Sequence, residues 1–266
     1  NGTAFFERCA HRKDFNMPSA HFHEHEYELY FLLNGQTKYF IDNEIYVLSA
    51  GEMIFVPKKT LHQTYYKNSY EVERILFTFD DTYLESEYKT YISEMTESKH
   101  IVFDGYGLQK ITELVVKIEK EFNSNEVGSE QMWQLYFKQL LILISRYRKK
   151  KNHIKLSQTL QLMQKVAKYI NQSYATDLTL DTLAKEFSIS ASHLSRSFKA
   201  STGIGLKEYI NLIRIKKAEE LLLTTNWSIT KIATACGYND PNYFASLFKK
   251  TIGITPKKYA LQSKKT

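Results

Sequence analysis

The stretch Ser228–Tyr259, SITKIATACGYNDPNYFASLFKKTIGITPKKY, restricts the fold more than any other part of the chain, because it predicts a helix, a tight turn and a second helix with almost nothing left over. In such a unit the helices approach closely near the turn, which demands a small residue on the first helix and a permissive one at the corner. Ala233 and Gly237 stand at those places. Asp240 follows where an N-cap belongs, and Pro241 where the first helical residue does, a position at which proline's missing N–H costs nothing. Along the second helix Phe244, Leu247 and Phe248 recur at i, i+3, i+4 and are expected inward. Asn242, Tyr243, Ala245, Ser246 and Lys249 are thereby turned outward.

The unit occurs twice. Leu178–Gly203, LTLDTLAKEFSISASHLSRSFKASTG, parallels Ser228–Gly253 position by position. Ala184 matches Ala233 and Ser188 matches Gly237 at one offset. Ser190, Leu194, Phe198, Lys199 and Gly203 match Asp240, Phe244, Phe248, Lys249 and Gly253 at an offset longer by one residue, so the second turn carries an insertion. On the first outward face lie Ser192, His193, Ser195, Arg196 and Lys199. Between the units, Leu206 to about Thr224 carries Ile210, Ile213, Ala218, Leu221 and Leu222 without a breaker and is expected to be one helix. At ~1.5 Å per residue it spans about 25 Å, a rigid spacer suited, with the helix widths added, to grooves about 34 Å apart.

Charge divides the chain. Of 36 Lys+Arg and 29 Asp+Glu, residues 1–150 hold 18 and 22, whereas residues 151–266 hold 18 and 7, so net charges of −4 and +11 make up the total of +7. Positive charge gathered in one domain favours a polyanion, through counterion release and salt-sensitive affinity. Arg196 is the expected base reader of the first unit, since a guanidinium grips guanine O6 and N7 bidentately. Asn242 is its counterpart in the second, and Lys199 and Lys249 suit phosphates. Double-stranded DNA is the implied partner. The two cysteines, Cys9 and Cys236, suggest no disulfide framework. No apolar run reaches spanning length and no signal-peptide pattern opens the chain, which predicts a cytoplasmic protein without a membrane partner.

The N-terminal part follows another period. From Phe22 to Phe79, YELYFLL, TKYFI, IYVL, MIFV, LHQTYY and VERILFTF are short aromatic and β-branched runs punctuated by Asn34-Gly35, Asp42-Asn43 and Ala50-Gly51, which predicts a sandwich or barrel. After Asp104-Gly105, Leu108, Ile111, Val115, Ile118 and Phe122 draw a narrow apolar seam suited to a helix partner. A helix from Ser129 to about Lys149 is apolar on nearly every side and should be covered from two directions, by the barrel and by a second subunit or wholly within its own domain. The charge run Arg148–His153 is the expected interdomain linker. The chain thus divides into a barrel (1–105), dimerisation helices (106–150), a linker (151–157) and an all-helical domain (158–266) with helix-turn-helix units at about 178–203 and 228–253.

At this point SITKIATACGYNDPNYFASLFKKTIGITPKKY and the connecting YINLIRIKKAEELLL resemble the AraC/XylS family of bacterial transcription regulators, over about residues 160–260. The resemblance implies a duplicated helix-turn-helix on promoter DNA, a cupin-type sensing barrel followed by dimerisation helices, a homodimer, contact with RNA polymerase, and activation as the commoner mode. Base-facing positions carried over from the family are Ser192, Ser195 and Arg196, then Pro241, Asn242 and Ser246. Ser246 stands where the family often has arginine. The fold class is therefore α+β and multidomain, a cupin-like barrel followed by an all-α domain.

His21, His23, His25 and His62, with Gly35, Gly51 and Pro57, are similar to the two cupin motifs. On an unbroken strand His23 and His25 share a face. Glu28, two residues past that pair, would then face away, so a hydrogen-bonded pocket is expected, with no metal and no cofactor. His23, His25, Tyr30, Tyr39, Phe55 and His62 are the expected pocket residues, offering flat apolar faces with polar tips to a small effector such as a sugar. Three functions remain: a ligand-responsive transcription regulator, a metal-dependent cupin enzyme with a DNA-binding tail, and a constitutive dimeric DNA binder.

Overall fold

The structure is a computed structural model that describes residues 2–11, 20–65, 71–148 and 156–263. The chain forms two compact units, Asn1–Leu156 and Ser157–Thr266. Apart from Arg148, the charge run taken as the linker lies outside the described residues.

The first unit holds two antiparallel sheets. Strands β1 (Ala4–His11), β2 (Tyr27–Asn34), β5 (Met53–Val56), β7 (Val72–Phe79) and β8 (His100–Ile101) pair in the order β1-β7-β2-β5-β8. Strands β3 (Gln36–Ile41), β4 (Glu44–Ser49) and β6 (His62–Tyr65) pair in the order β4-β3-β6. Strand β2 reads as one apolar run because both its faces are covered. Side chains alternate across a strand, so Leu29 and Phe31 join Phe55, Phe77 and Phe79 on one face, and Tyr30 and Leu32 join Tyr39, Ile41, Leu48 and Ile54 on the other. Strands β1 and β8 lie outside the expected set. Both are edge strands, the second of only two residues, and neither repeats the aromatic runs of the interior.

Helices α1 (Lys89–Glu97), α2 (Gly105–Phe122) and α3 (Ser129–Tyr147) cover the first of those faces. Asp104 caps α2, its carboxylate accepting from the Gly107 N–H at 2.6 Å. Gly107 also lets α3 approach, since a Cβ there would lie 2.5 Å from Cβ of Tyr147. The α2 seam is spent inside the unit. Ile111, Val115 and Ile118 are buried with Leu140, Leu141, Ile144 and Phe77, and Leu108 and Phe122 pack on the same core. The expectation that these five residues bind a second subunit is therefore corrected: the helix partner of the seam is α3 of the same chain, and the sheet closes its other side. The large hydrophobic side chains that α2 and α3 leave exposed are Tyr106, Val116, Met132 and Leu135.

The second unit is helical: α4 (Gln158–Ser173), α5 (Leu180–Glu186), α6 (Ala191–Thr202), α7 (Leu206–Thr224), α8 (Ile229–Ala235), α9 (Pro241–Ile252) and α10 (Pro256–Ser263). Helix α7 packs against α4 and α6 of one half and against α8, α9 and α10 of the other. It therefore buries Tyr209, Ile210, Ile213, Ile215, Ala218 and Leu222 around most of its circumference. Among the described residues no helix is long and apolar enough to cross a membrane.

Ile118→Ala should lower unfolding free energy by about 2–5 kcal/mol, the range for deleting buried branched side chains. Val116→Ala, on the exposed face of the same helix, should stay within about 0.5 kcal/mol. Urea unfolding followed by Trp133 fluorescence in a Trp227→Phe background measures both, and equal effects would contradict the intramolecular seam.

Candidate nucleic-acid interface and barrel site

Helices α5 and α6, joined by a short turn, are repeated by α8 and α9. Both second helices start on side-chain caps. Ser190 Oγ accepts from the His193 N–H at 3.3 Å, and Asp240 accepts from the Asn242 N–H at 2.8 Å with Pro241 at the first helical position. Both end at a left-handed glycine, Gly203 (φ 79°) and Gly253 (φ 89°), whose N–H groups reach the carbonyls of Lys199 and Lys249. Leu194, Phe198, Phe244 and Phe248 are buried, with Leu247 half-buried beside the last two. Ser192, His193, Ser195, Arg196 and Lys199 on α6, and Asn242, Tyr243, Ser246 and Lys249 on α9, are all exposed. Arg196 lies back along its own helix, Nε donating to the Ser192 carbonyl at 3.3 Å, and His193 pairs with Ser197 at 3.3 Å.

The two corners differ. Gly237 adopts φ 83°, the left-handed region that glycine enters at no steric cost, whereas Ser188 is held at φ 53° at the equivalent corner. Gly237 is doubly required, because a Cβ there would lie 2.9 Å from Nη2 of Arg214 and 3.0 Å from the Ala175 carbonyl. Arg214, on α7, escaped the sequence reading. Its Nε donates to the Tyr174 carbonyl at 2.8 Å and its Nη2 to the Thr176 carbonyl at 2.9 Å, while its guanidinium lies 5.4 Å from the ring of Tyr238. One side chain thus ties the segment leading into the first helix pair to the corner of the second. Lys231 over the exposed Trp227 ring, 4.1 Å to its centroid, is a further cation beside the second pair.

In the first unit, His21, His23, Glu28 and His62 offer donor atoms that all lie within 4.8 Å of one another. The local backbone explains the gathering. Strand β2 begins only at Tyr27 and the chain bends at Glu24 and His25, so the alternation assumed for a continuous strand does not apply to residues 21–26. His25 is consequently exposed and outside the group, and Glu28 points into it, which corrects the expected placement of both. His21 bridges to His62 through paired backbone hydrogen bonds of 3.2 and 2.9 Å. Lys59, at φ 56° in a place where glycine is common, anchors the segment by donating its N–H to the His23 carbonyl at 2.7 Å and its Nζ to Glu24 at 2.8 Å.

Glu28 is 1% exposed, and its Oε2 lies 3.3 Å from His23 Nε2 while its Oε1 accepts from the Tyr39 hydroxyl. Burial opposes its ionisation, but the charge of His62 and the hydrogen bonds from His23 and Tyr39 outweigh that cost and hold the carboxyl well below the usual range. Burial likewise disfavours a charged His62, and Glu28 reverses the balance, so the imidazole is raised above its ordinary value. Of the other expected pocket residues, Tyr30 and Tyr39 meet edge to face at 5.1 Å between the sheets. Phe55 is on the opposite face of its sheet, packed against the helices, and is removed from the pocket.

Comparison with known proteins fits both units. A family profile described as a helix-turn-helix domain matches residues 183–262, and one described as a cupin domain matches residues 15–75. The HTH-type transcriptional activator RhaR of Mannheimia succiniciproducens is 26% identical over 94% of this chain and 86% of its own length. The HTH-type transcriptional activator RhaS of Escherichia coli is 24% identical over 91% of this chain and 88% of its own. Both profile matches and both relatives agree with the AraC/XylS resemblance of the sequence. Among solved structures, the C-terminal domain of the two-component response regulator yesN from Fusobacterium nucleatum is 37% identical, covering 38% of this chain and 98% of that one, with a TM-score of 0.37.

The two corners should respond to substitution with opposite signs. Ser188→Gly should stabilise, by about 0.5–1 kcal/mol, because strain is relieved by more than the added chain entropy costs. Gly237→Ala should destabilise by more than that, being strained in φ and blocked by Arg214. Thermal unfolding of the two variants measures both, and the same sign at both corners would contradict the account.

Proposed function

We propose that this AraC/XylS protein is a sequence-specific DNA-binding transcription regulator of the activator type, controlled by a small molecule received in the N-terminal barrel. The observation that carries this reading is the duplicated helix pair. Two equivalent units, each with a buried apolar side and an exposed polar one, lie in the half of the chain that carries the positive charge. Arg196 and Asn242 are the side chains suited to base edges, with Ser192 and Ser195 beside the first and Ser246 beside the second, while Lys199 and Lys249 suit phosphates. Ser246 offers only a short hydroxyl, so the second unit leans on backbone contacts and DNA shape. Relatives covering most of the chain carry the name of transcriptional activators, which supports the activator sense and promoter DNA as partner.

The finer parts of the reading rest on the family. The chain pairs as a homodimer in the cytoplasm and touches RNA polymerase, and it carries out no catalytic step. The α2 seam being used up, a dimer contact draws on what α2 and α3 leave exposed, among them Val116, Met132 and Leu135. The effector, a small molecule of mixed polarity such as a carbohydrate, meets the barrel near Tyr39 and the histidine group rather than near Phe55 or His25.

Selection of the full-length protein's sites from random-sequence DNA, followed by affinity measurements at several salt concentrations, tests the proposal. Arg196→Ala should cost about 1–3 kcal/mol and relax one position of the selected motif, whereas Lys249→Ala should weaken all sequences alike and reduce the salt slope by about 1. Indistinguishable, purely uniform losses in both variants would mean that the repeat holds DNA without reading it.

A further inference from the structure

We propose that Arg214 is a positioning residue for DNA reading, one that fixes the orientation of the second helix pair against the first and so sets which spacing of two base sequences the protein accepts. The inference rests on the reading of both pairs as DNA readers and adds what holds them in register. Helix α7 sets how far apart the pairs lie, but α8 follows it only after the irregular stretch Thr225–Ser228. The side chains that seat α9 on α7, Ile215, Ala218 and Leu222 with Phe244 and Phe248, are apolar, and such contacts are non-directional. They resist separation more than rotation. A directional contact removes that freedom, and Arg214 makes one.

The carbonyls it takes stand at the C-terminal end of α4, where backbone oxygens lack a partner within the helix and positive charge suits the helix dipole. Nε donates to Tyr174 at 2.8 Å and Nη2 to Thr176 at 2.9 Å, so two arms of one planar fork engage a single turn of chain. That turn belongs to the first pair twice over. Helix α4 packs on α6, and the Thr176 carbonyl also accepts the Leu178 N–H at 2.9 Å just before α5 begins. On the other side the guanidinium lies 5.4 Å from the ring of Tyr238. Tyr238 is buried, its ring stands 5.3 Å from that of Phe244 on α9, and its hydroxyl faces the Asn211 carbonyl of α7 at 3.5 Å. A continuous series of contacts thus runs from α4 through Arg214 and Tyr238 to the inward face of α9. The first corner is open instead: a groove of about 550 Å³ lies there, lined by Ala184, Lys185, Ser188 and Ile189 among others. A helix pair of this kind therefore closes without an arginine filling its corner, and the link between the pairs is what Arg214 adds.

The test uses full-length protein and operators selected from random-sequence DNA, with Arg214→Lys keeping the charge but not the fork. Each base pair inserted between the two selected motifs moves the second groove by ~3.4 Å and turns it by about 35°, which a locked pair should not tolerate. The parent should therefore prefer one spacing sharply. Arg214→Lys and Tyr238→Leu should bind that operator about tenfold or more weakly, lose the preference for its spacing, and hold duplexes bearing a single motif within about twofold of the parent. Retained single-motif binding shows that both pairs are folded. Spin labels at Ser195→Cys and Ser246→Cys, in a Cys9→Ser, Cys236→Ala background diluted with unlabelled protein, read the link without DNA: one narrow distance is expected in the parent and a broad distribution in both variants. An unchanged spacing preference, or equal losses on single-motif and complete operators, would overturn the role. Protein that selects no motif while its distance still broadens on Arg214→Lys sinks the DNA reading and keeps the link, whereas the same spacing selected by parent and variants sinks the link alone.

Discussion

The C-terminal unit depends on the packing of α7. A helix between two equivalent helix pairs must be apolar on nearly all sides, because each half of the repeat needs a surface to close its own core. Tyr209 meets Phe198 in the first half at 5.4 Å, while Ile215, Ala218 and Leu222 join Phe244 and Phe248 in the second. Neither pair could bury its own apolar face alone. Because one continuous helix serves both, the separation and relative rotation of α6 and α9 are set by a rigid element, and Arg214 adds a second link by joining the Tyr174–Thr176 segment to Tyr238.

The first unit solves a different problem. A sheet covered on one face by helices and on the other by a second sheet has no wet side, so a polar group buried there is costly unless another group meets it. Glu28 is the clearest instance, a carboxylate on a strand otherwise filled with Leu29, Tyr30, Phe31 and Leu32. Its ionised form survives because imidazoles and a tyrosine hydroxyl face it. His100 is buried against Glu52 at 2.7 Å on the same logic at the end of β8. A domain built this way keeps a charged, hydrogen-bonded group at one end of a dry interior, where the low dielectric strengthens each of its interactions.

The helical half was legible in the sequence because its signals are local. Caps, left-handed glycines and apolar steps of three and four lie within a dozen residues of each other, and the bounds Leu206–Thr224 and the inserted residue in the second turn agree with the elements observed. The seam on α2 was legible as a seam, but not as to its partner, since periodicity reports that a face is covered and not by which chain. The histidine group failed for a related reason. Counting alternation from His25 assumed a strand, and the bend at Glu24 and His25 breaks the count, bringing His21 in and putting His25 out. Arg214 left no trace in the pattern because its partners are backbone carbonyls, which have no sequence identity.

The central claim is that the repeat reads two consecutive major grooves. Methylation interference at guanine N7, with the full-length protein on a selected operator, addresses it directly. The account predicts interference at two clusters of guanines about 10 base pairs apart, one helical turn, with the cluster facing α6 lost in Arg196→Ala. A single cluster, or interference spread evenly along the fragment, would contradict it.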